Sequence, residues 1–233
     1  MWKSLSVLAI VPARGGSKGI IKKNLREICG KSLIAHTATL VSSIDWLDAS
    51  VLSSDDQSMI DEAILHNLSA PFVRPDELSS DLANSIDVWL HAWREAEKFY
   101  NKVFDVSILL EPTSPLRTRE DIERVMQLLD KPKVNSVVTV SKTPAHYTPE
   151  KTLVLNQNRL KNYLDTDTPI RQMIPSYYHR NGICYGMKRE HFFKNKCIFS
   201  DSTEAVLIDR PIVNIDDEFE LDYASWLMHK TIK

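Results

Sequence analysis

The stretch VPARGGSKGIIKKN, Val11 to Asn24, sets four cations among three glycines. Those residue types suit a bound polyphosphate. Gly15, Gly16 and Gly19 let backbone N–H groups approach oxygens without a Cβ in the way. Arg14 offers a planar two-pronged donor and Lys18 a mobile point charge. The plainer reading of the same residues is a solvated basic loop. Spacing excludes two common phosphate cradles. A dinucleotide fingerprint needs G-x-G-x-x-G, and here the run is GGSKG. A P-loop needs a glycine five residues before Gly30-Lys31-Ser32, and that position is Leu25.

Such a turn needs rigid elements behind it. SVLAIV (6–11) is a continuous apolar strand of the kind buried on both faces in a parallel sheet. Residues 32–43 carry Leu33, Ile34, Thr37, Leu40 and Val41 at helical spacing. ASVLS (49–53) reads as the next strand. Asp55 or Asp56 can cap a helix bearing Met59, Ile60, Ala63 and Ile64. APFV (70–73) reads as a third strand, and residues 85–100 place Ile86, Trp89, Trp93 and Ala96 on one helical stripe. FDVSILL (104–110) is a strong central strand. Thr118 to Asp121 resembles a capping box ahead of Ile122, Val125, Met126 and Leu129. VNSVVTV (134–140) is a further strand. This alternation predicts a three-layer α/β fold with a mostly parallel sheet. The glycine-rich turn then lies beyond a strand's carboxyl end, where open α/β sheets bind ligands.

The pattern weakens after Ser141. Residues 142–180 are polar and broken by Pro144, Pro149, Pro169 and Pro175, with TLVLN and RLKNYL as a possible hairpin. They read as an arm inserted into one domain spanning 1–233. GICYGM (182–187) and RPIVNID (210–216) read as returning strands. A last helix sets Phe219, Tyr223, Trp226 and Leu227 on one side.

Composition narrows the classes. A net charge of −2 gives no bulk attraction to nucleic acid or membrane. Three scattered cysteines without a C-x-x-C pair fit a reducing cytoplasm and argue against a disulfide framework or zinc site. The N-terminal apolar run is too short for a signal h-region or a membrane span.

Five blocks, in order, carry a resemblance. Ala13 to Asn24 fits A-R-x-G-S-K-G-x-x-x-K-N. RPDELSSDLANSIDVWLHA (74–92), EPTSPLRT (111–118), YHRNGICY (178–185) and VNIDDEFELDYA (213–224) follow. Together they resemble the CMP-N-acetylneuraminate synthetases, the acylneuraminate cytidylyltransferases. The resemblance implies a Rossmann-like nucleotidyltransferase fold and a homodimer formed through the 142–180 arm. It implies CMP transfer from CTP to the anomeric hydroxyl of a nonulosonic acid, with pyrophosphate released and Mg²⁺ assisting. Arg14, Lys18, Lys23 and Asp216 are its expected catalytic residues. Ala13, Gly15, Ser17, Asn24, Arg74, Ala83 and Ser85 would join Arg14 and Lys18 around CTP, with Asn24 reading the cytosine O2 or N3 edge. Glu111, Thr113, Ser114, Lys142, Arg171, Gln172 and Asn181 would meet the sugar.

Two positions depart from the family pattern. Glu111 stands where the family has Gln. Asn214 stands where the family has the first Asp of an i, i+2 metal pair with Asp216. We expect Glu111 to supply part of the lost metal or sugar environment. Neutral drift at two tolerant positions is the alternative. Cys184 reads as core rather than nucleophile. The rival activities are a cytidylyltransferase for another sugar acid, such as 3-deoxy-manno-octulosonate, and a catalytically silent nucleotide-binding protein.

Overall fold

Val7–Pro12 (β1) has a parallel partner on each side in the main sheet and is buried on both faces. Val7, Ala9 and Val11 pack into one layer, Leu8 and Ile10 into the other, as the two-residue period of a strand requires. The computed structural model describes residues 1–164 and 174–231. After β1 come a small ribbon of Glu27–Ile28 (β2) with Lys31–Ser32 (β3), and the helix Leu33–Ser42 (α1). Ser32 caps α1 by accepting from Ala35 N at 2.9 Å. Ala49–Ser53 (β4) pairs parallel with β1.

Gln57–Leu65 (α2) is capped by Asp56, one of the two residues expected for that role. Ser85–Tyr100 (α3) leads to Val106–Leu109 (β5), which is parallel to β1 on its other side. Arg119–Leu129 (α4) begins with the capping box expected at Thr118 and Asp121. Then follow Ser136–Lys142 (β6), Leu153–Asn156 (β7), Arg159–Asn162 (β8) and Tyr178–Lys188 (β9). Arg189–Asn195 (α5), Thr203–Leu207 (β10) and Glu218–Thr231 (α6) complete the chain.

The main sheet runs β10-β6-β9-β5-β1-β4. Only β9 among these strands is antiparallel to its neighbours. One face is covered by α1, α2 and α4 and the other by α3 and α5, giving three layers. Trp89, Trp93 and Phe192 fill the second face. The Trp89 indole N–H donates to Ser107 Oγ at 2.8 Å, so its polar end is satisfied inside the core. The chain leaves β1 for β4 on one side and later returns to β5 on the other. That reversal opens a crevice above the carboxyl ends of β1 and β5.

Two expected strands are absent. Residues 70–73 are irregular, and only an isolated Val51–Ser69 bridge touches β4 there. The run APFV is apolar because Phe72 packs against the α3 face, not because it pairs. Residues 210–216 are also irregular. Val213 and Ile215 are buried under α6 while Asn214 and Asp216 face outward, so the alternation of a strand persists without a ladder. The sheet instead takes β10, which the sequence reading passed over.

The arm leaves the sheet where β6 and β9 part, near Lys142 and Tyr178. Within it, β7 and β8 form the expected hairpin. In α6, Leu221, Ala224 and Leu227 face inward. Phe219, Tyr223 and Trp226 share the outer side, and Leu227, expected beside them, faces the core instead.

Candidate active site

The crevice holds a cavity of about 560 Å³. The turn after β1 walls one side with Arg14, Ser17, Lys18, Lys23 and Asn24, and the segment from Arg74 to Ser85 walls the other. Its floor is the carboxyl end of β5, with Glu111 and Thr113, and the approach to α6, with Asn214 and Asp216. Residues more than two hundred positions apart in sequence therefore meet in one cleft.

Lys23 Nζ reaches Asp216 Oδ1 and the Ile215 carbonyl, each at 2.8 Å. Arg14 and Lys18 both turn to Asp81, at 2.8 Å and 2.6 Å. Asn24 is buried, and its Oδ1 has no hydrogen-bond partner among the described residues. A buried acceptor left open in a cavity wall is a place for a ligand donor. Arg74 is buried too. Its Nε donates to Ser53 Oγ at 3.0 Å and its Nη2 to the Ser53 carbonyl. Burial pulls its pKa down to about 10, which leaves it charged near neutrality.

Ala83 and Ser85 line the same wall. Ser85 opens α3, capped by Asn84, so the positive end of a sixteen-residue helix faces the cleft.

A second cavity of about 290 Å³ adjoins the first, and Ser85, Leu109, Glu111 and Asn214 line both. Arg180, Tyr185, Trp89, Gly182 and Ile198 complete its wall. Gly182 has a φ of +72°, and a Cβ on it would come within 2.9 Å of Glu111 Oε2 and of Ser114 Oγ. Only glycine leaves room for that cluster. Loss of water raises the pKa of the Glu111 carboxyl. The positive charges of Arg117, Lys23 and Arg180 oppose the rise, and Asp216 adds to it.

Several expected residues stand elsewhere. The Ala13 N–H bonds the Ser53 carbonyl at 2.9 Å, and Ala13 is buried beneath the turn. The Gly15 N–H donates to Asp55 Oδ1 at 3.0 Å, so it points away from the cavity rather than into it. Ser114 is buried behind Asn214. Asn181 was expected to face the sugar. Its Oδ1 instead accepts from Thr139 Oγ1 at 2.7 Å, and its Nδ2 donates to Ser141 Oγ at 3.0 Å. It closes the irregularity where β9 shifts register against β6, and it lines neither cavity. Lys142 lines a separate cavity of about 340 Å³ at the root of the arm. Arg171 and Gln172 lie outside the described residues. Cys184 is fully buried and its thiol is pushed up to about 12 by burial, as suits a core residue.

The sequence reading passed over three residues that shape the site, Asp81, Arg117 and Arg180, and took Asp55 only as a candidate helix cap. Arg117 is buried and holds the Glu111 and Gly182 carbonyls at 2.6 Å and 3.2 Å, and the Ile183 carbonyl as well. It fastens the loop after β5 to β9. The signal was present, since Arg117 ends EPTSPLR, but nothing in the spacing says that it turns inward.

Residues 8–225 match the model of a protein family described as cytidylyltransferase. The chain belongs to the cytidylyltransferase family. Its relatives include the CMP-N,N'-diacetyllegionaminic acid synthase of Legionella pneumophila subsp. pneumophila, 29% identical over 225 residues, with 94% of each chain covered. They also include a pseudaminic acid cytidylyltransferase of Campylobacter jejuni subsp. jejuni, 29% identical over 223 residues and covering 94% of this chain and 95% of the relative. Among solved structures, a CMP:2-keto-3-deoxy-manno-octonic acid synthetase complexed with CTP superposes with a TM-score of 0.70 at 17% identity. That match covers 97% of this chain and 99% of the other. At that identity it supports the fold alone, and it bears out the Rossmann-like nucleotidyltransferase sheet expected for a cytidylyltransferase.

Proposed function

We propose that the protein transfers CMP from CTP to the anomeric hydroxyl of a nonulosonic acid and releases pyrophosphate. The observation that carries this reading is the pair of adjoining cavities. The larger is lined by cations, and Glu111 and Asn214 form part of the wall it shares with the smaller. A triphosphate in the first would place its α-phosphorus near a hydroxyl presented from the second. The anomeric oxygen then attacks phosphorus, the bond to the pyrophosphate oxygen breaks, and the hydroxyl proton passes to water. Such chemistry rests on positioning and on offsetting charge.

Arg14, Ser17 and Lys18 would hold the leaving phosphates, and Lys23 would lie near the α-phosphate. The open Asn24 acceptor would take the exocyclic amino group of cytosine, a donor that uracil lacks. This differs from the O2 or N3 contact expected from the resemblance, because the free atom is an oxygen. Glu111 is the one titratable side chain, among the described residues, that lines both cavities. When ionised it can only accept, so it suits a sugar hydroxyl.

Asp216 and Asn214 both line the larger cavity, and one carboxylate with one amide oxygen fits Mg²⁺ arriving on a triphosphate. Mg²⁺ takes one or two protein oxygens and fills the rest of its octahedron with phosphate and water. Bound there, it would neutralise phosphate charge. The sugar class is supported by relatives named for legionaminic and pseudaminic acids. The exposed β7–β8 hairpin, with Leu153, Val154, Leu155 and Leu160 uncovered, supports a homodimer through the arm. No helix among the described residues is long and apolar enough to cross a membrane. A reaction that consumes CTP belongs in the cytoplasm.

The test is release of pyrophosphate from CTP with N-acetylneuraminate, legionaminate, pseudaminate and 3-deoxy-manno-octulosonate. The highest kcat/KM is expected for legionaminate or pseudaminate. Turnover with the octulosonate alone would favour the rival sugar acid. CTP binding without turnover would favour the silent reading.

A further inference from the structure

The cations of the cradle are already occupied by a carboxylate of the protein. Asp81 Oδ1 lies 2.8 Å from Arg14 Nη2, and Asp81 Oδ2 lies 2.6 Å from Lys18 Nζ. Each oxygen takes one cation, as two oxygens of a phosphate would. A ligand phosphate therefore cannot reach both cations until Asp81 moves. Left in place, the carboxylate would sit against the incoming anion and repel it.

Two features mark Asp81 as the movable partner. It lies on the irregular stretch between the short turn Asp76–Leu78 and the start of α3, and its side chain is 42% exposed. Asp55, which holds the Gly15 N–H, contrasts with it. Asp55 adjoins Asp56, whose side chain accepts from Ser58 N and Met59 N at the start of α2. Asp55 is thus tied to a helix end, and Asp81 is not.

We propose that Asp81 is an internal competitor for the polyphosphate-binding cations, one that loosens the hold of Arg14 and Lys18 on CTP and on pyrophosphate and so speeds pyrophosphate release. The inference rests on the cytidylyltransferase reading. The terminal phosphates of CTP carry more charge than one carboxylate and displace it from Arg14 and Lys18. CMP lacks the phosphates that would reach those two cations, so it leaves the contact closed. After transfer, Asp81 competes with pyrophosphate for the same cations and shortens its stay. The cost of displacing Asp81 falls on ligands with terminal phosphates and spares CMP.

The experiment compares the unaltered protein with Asp81→Asn and Asp81→Glu by titration calorimetry, using CTP, pyrophosphate and CMP as separate ligands. Asp81→Asn is expected to bind CTP and pyrophosphate about threefold to tenfold more tightly, the range that loss of two exposed ion pairs allows. CMP affinity is expected to stay the same, and Asp81→Glu to behave like the unaltered protein. Asp81 is half exposed on a loop, and a melting curve checks that each variant remains folded. Unchanged or weaker CTP binding by Asp81→Asn overturns the inference, because the carboxylate would then assist the site. An equal gain for all three ligands overturns it too, since a general charge effect involves no competition for Arg14 and Lys18. No CTP binding by the unaltered protein would instead overturn the functional reading, and this inference with it.

Discussion

Lys23 Nζ lies 2.8 Å from Asp216 Oδ1, a contact that spans 193 positions of sequence. It joins the glycine-rich turn to the segment before α6. Gly19 makes the approach possible, because a Cβ there would collide with the Asp216 carbonyl oxygen. The cation end of the cavity is therefore built by two distant segments pressed together at one glycine.

Gly19→Ala is expected to push those segments apart. Turnover should fall by about a hundredfold, because small misplacements of reacting groups carry penalties of that order. The circular dichroism spectrum should be unchanged. Gly16→Ala is the control, since nothing lies within 4 Å of its Cβ position. Full activity in Gly19→Ala would show that the contact is incidental.

Asn24 presents a buried acceptor with no partner among the described residues. Asn24→Ala is expected to lower kcat/KM for CTP by about tenfold to a hundredfold, the range for losing one buried hydrogen bond. Activity with UTP should change little, because uracil has no amino group to lose. Equal losses for both nucleotides would place Asn24 in folding rather than in base selection.

The Glu111 carboxyl has its pKa raised by burial. Its folded pKa therefore lies above the unfolded value of about 4.3. The unfolded chain releases this proton first as pH rises, so stability is highest below that value and declines through the folded pKa. Glu111→Gln removes the ionisation. The variant should melt higher than the unaltered protein at pH 7, with the gap narrowing towards pH 4. Its turnover should fall, and its apparent Mg²⁺ affinity should fall too if Glu111 substitutes for the carboxylate missing at Asn214. Unaltered Mg²⁺ dependence would leave Glu111 a role towards the sugar only.

The β7–β8 hairpin exposes Leu153, Leu155 and Leu160. A two-stranded ribbon is marginal alone, so a second copy covering it would account for these side chains. Leu153→Lys with Leu160→Lys should halve the mass seen by light scattering at micromolar concentration. The melting temperature of the sheet domain should change little. A monomer before substitution would exclude the arm as a dimer contact.

Much of this architecture was legible in the residue order. Helix α3 begins and ends where its stripe of Trp89, Trp93 and Ala96 predicts, because a 3.6-residue apolar period leaves little freedom. The α4 cap was legible at Thr118 and Asp121 for the same local reason. The segments 70–73 and 210–216 misled, since a short apolar run looks alike whether it pairs in a ladder or merely packs. Strand β10 was hidden because TEAVL is short and half exposed, and only its neighbour β6 makes it a strand. Asn181 was placed at the sugar by the resemblance alone. Its side chain bonds Thr139 and Ser141 beside the β6–β9 register shift, a pairing that residue order does not reveal.

The sequence by itself determined the alternation of strands and helices, the cation-rich turn after the first strand, and the family. Those features are local in the chain, and short-range sterics and periodicity decide them. The tertiary structure alone decided which charged groups face one another. Asp81 on Arg14 and Lys18, Asp216 on Lys23, and Arg117 on the Gly182 and Ile183 carbonyls are contacts between segments that only the folded sheet brings within a few ångströms. Coulomb forces and hydrogen bonds act over that distance in space and take no account of distance along the chain.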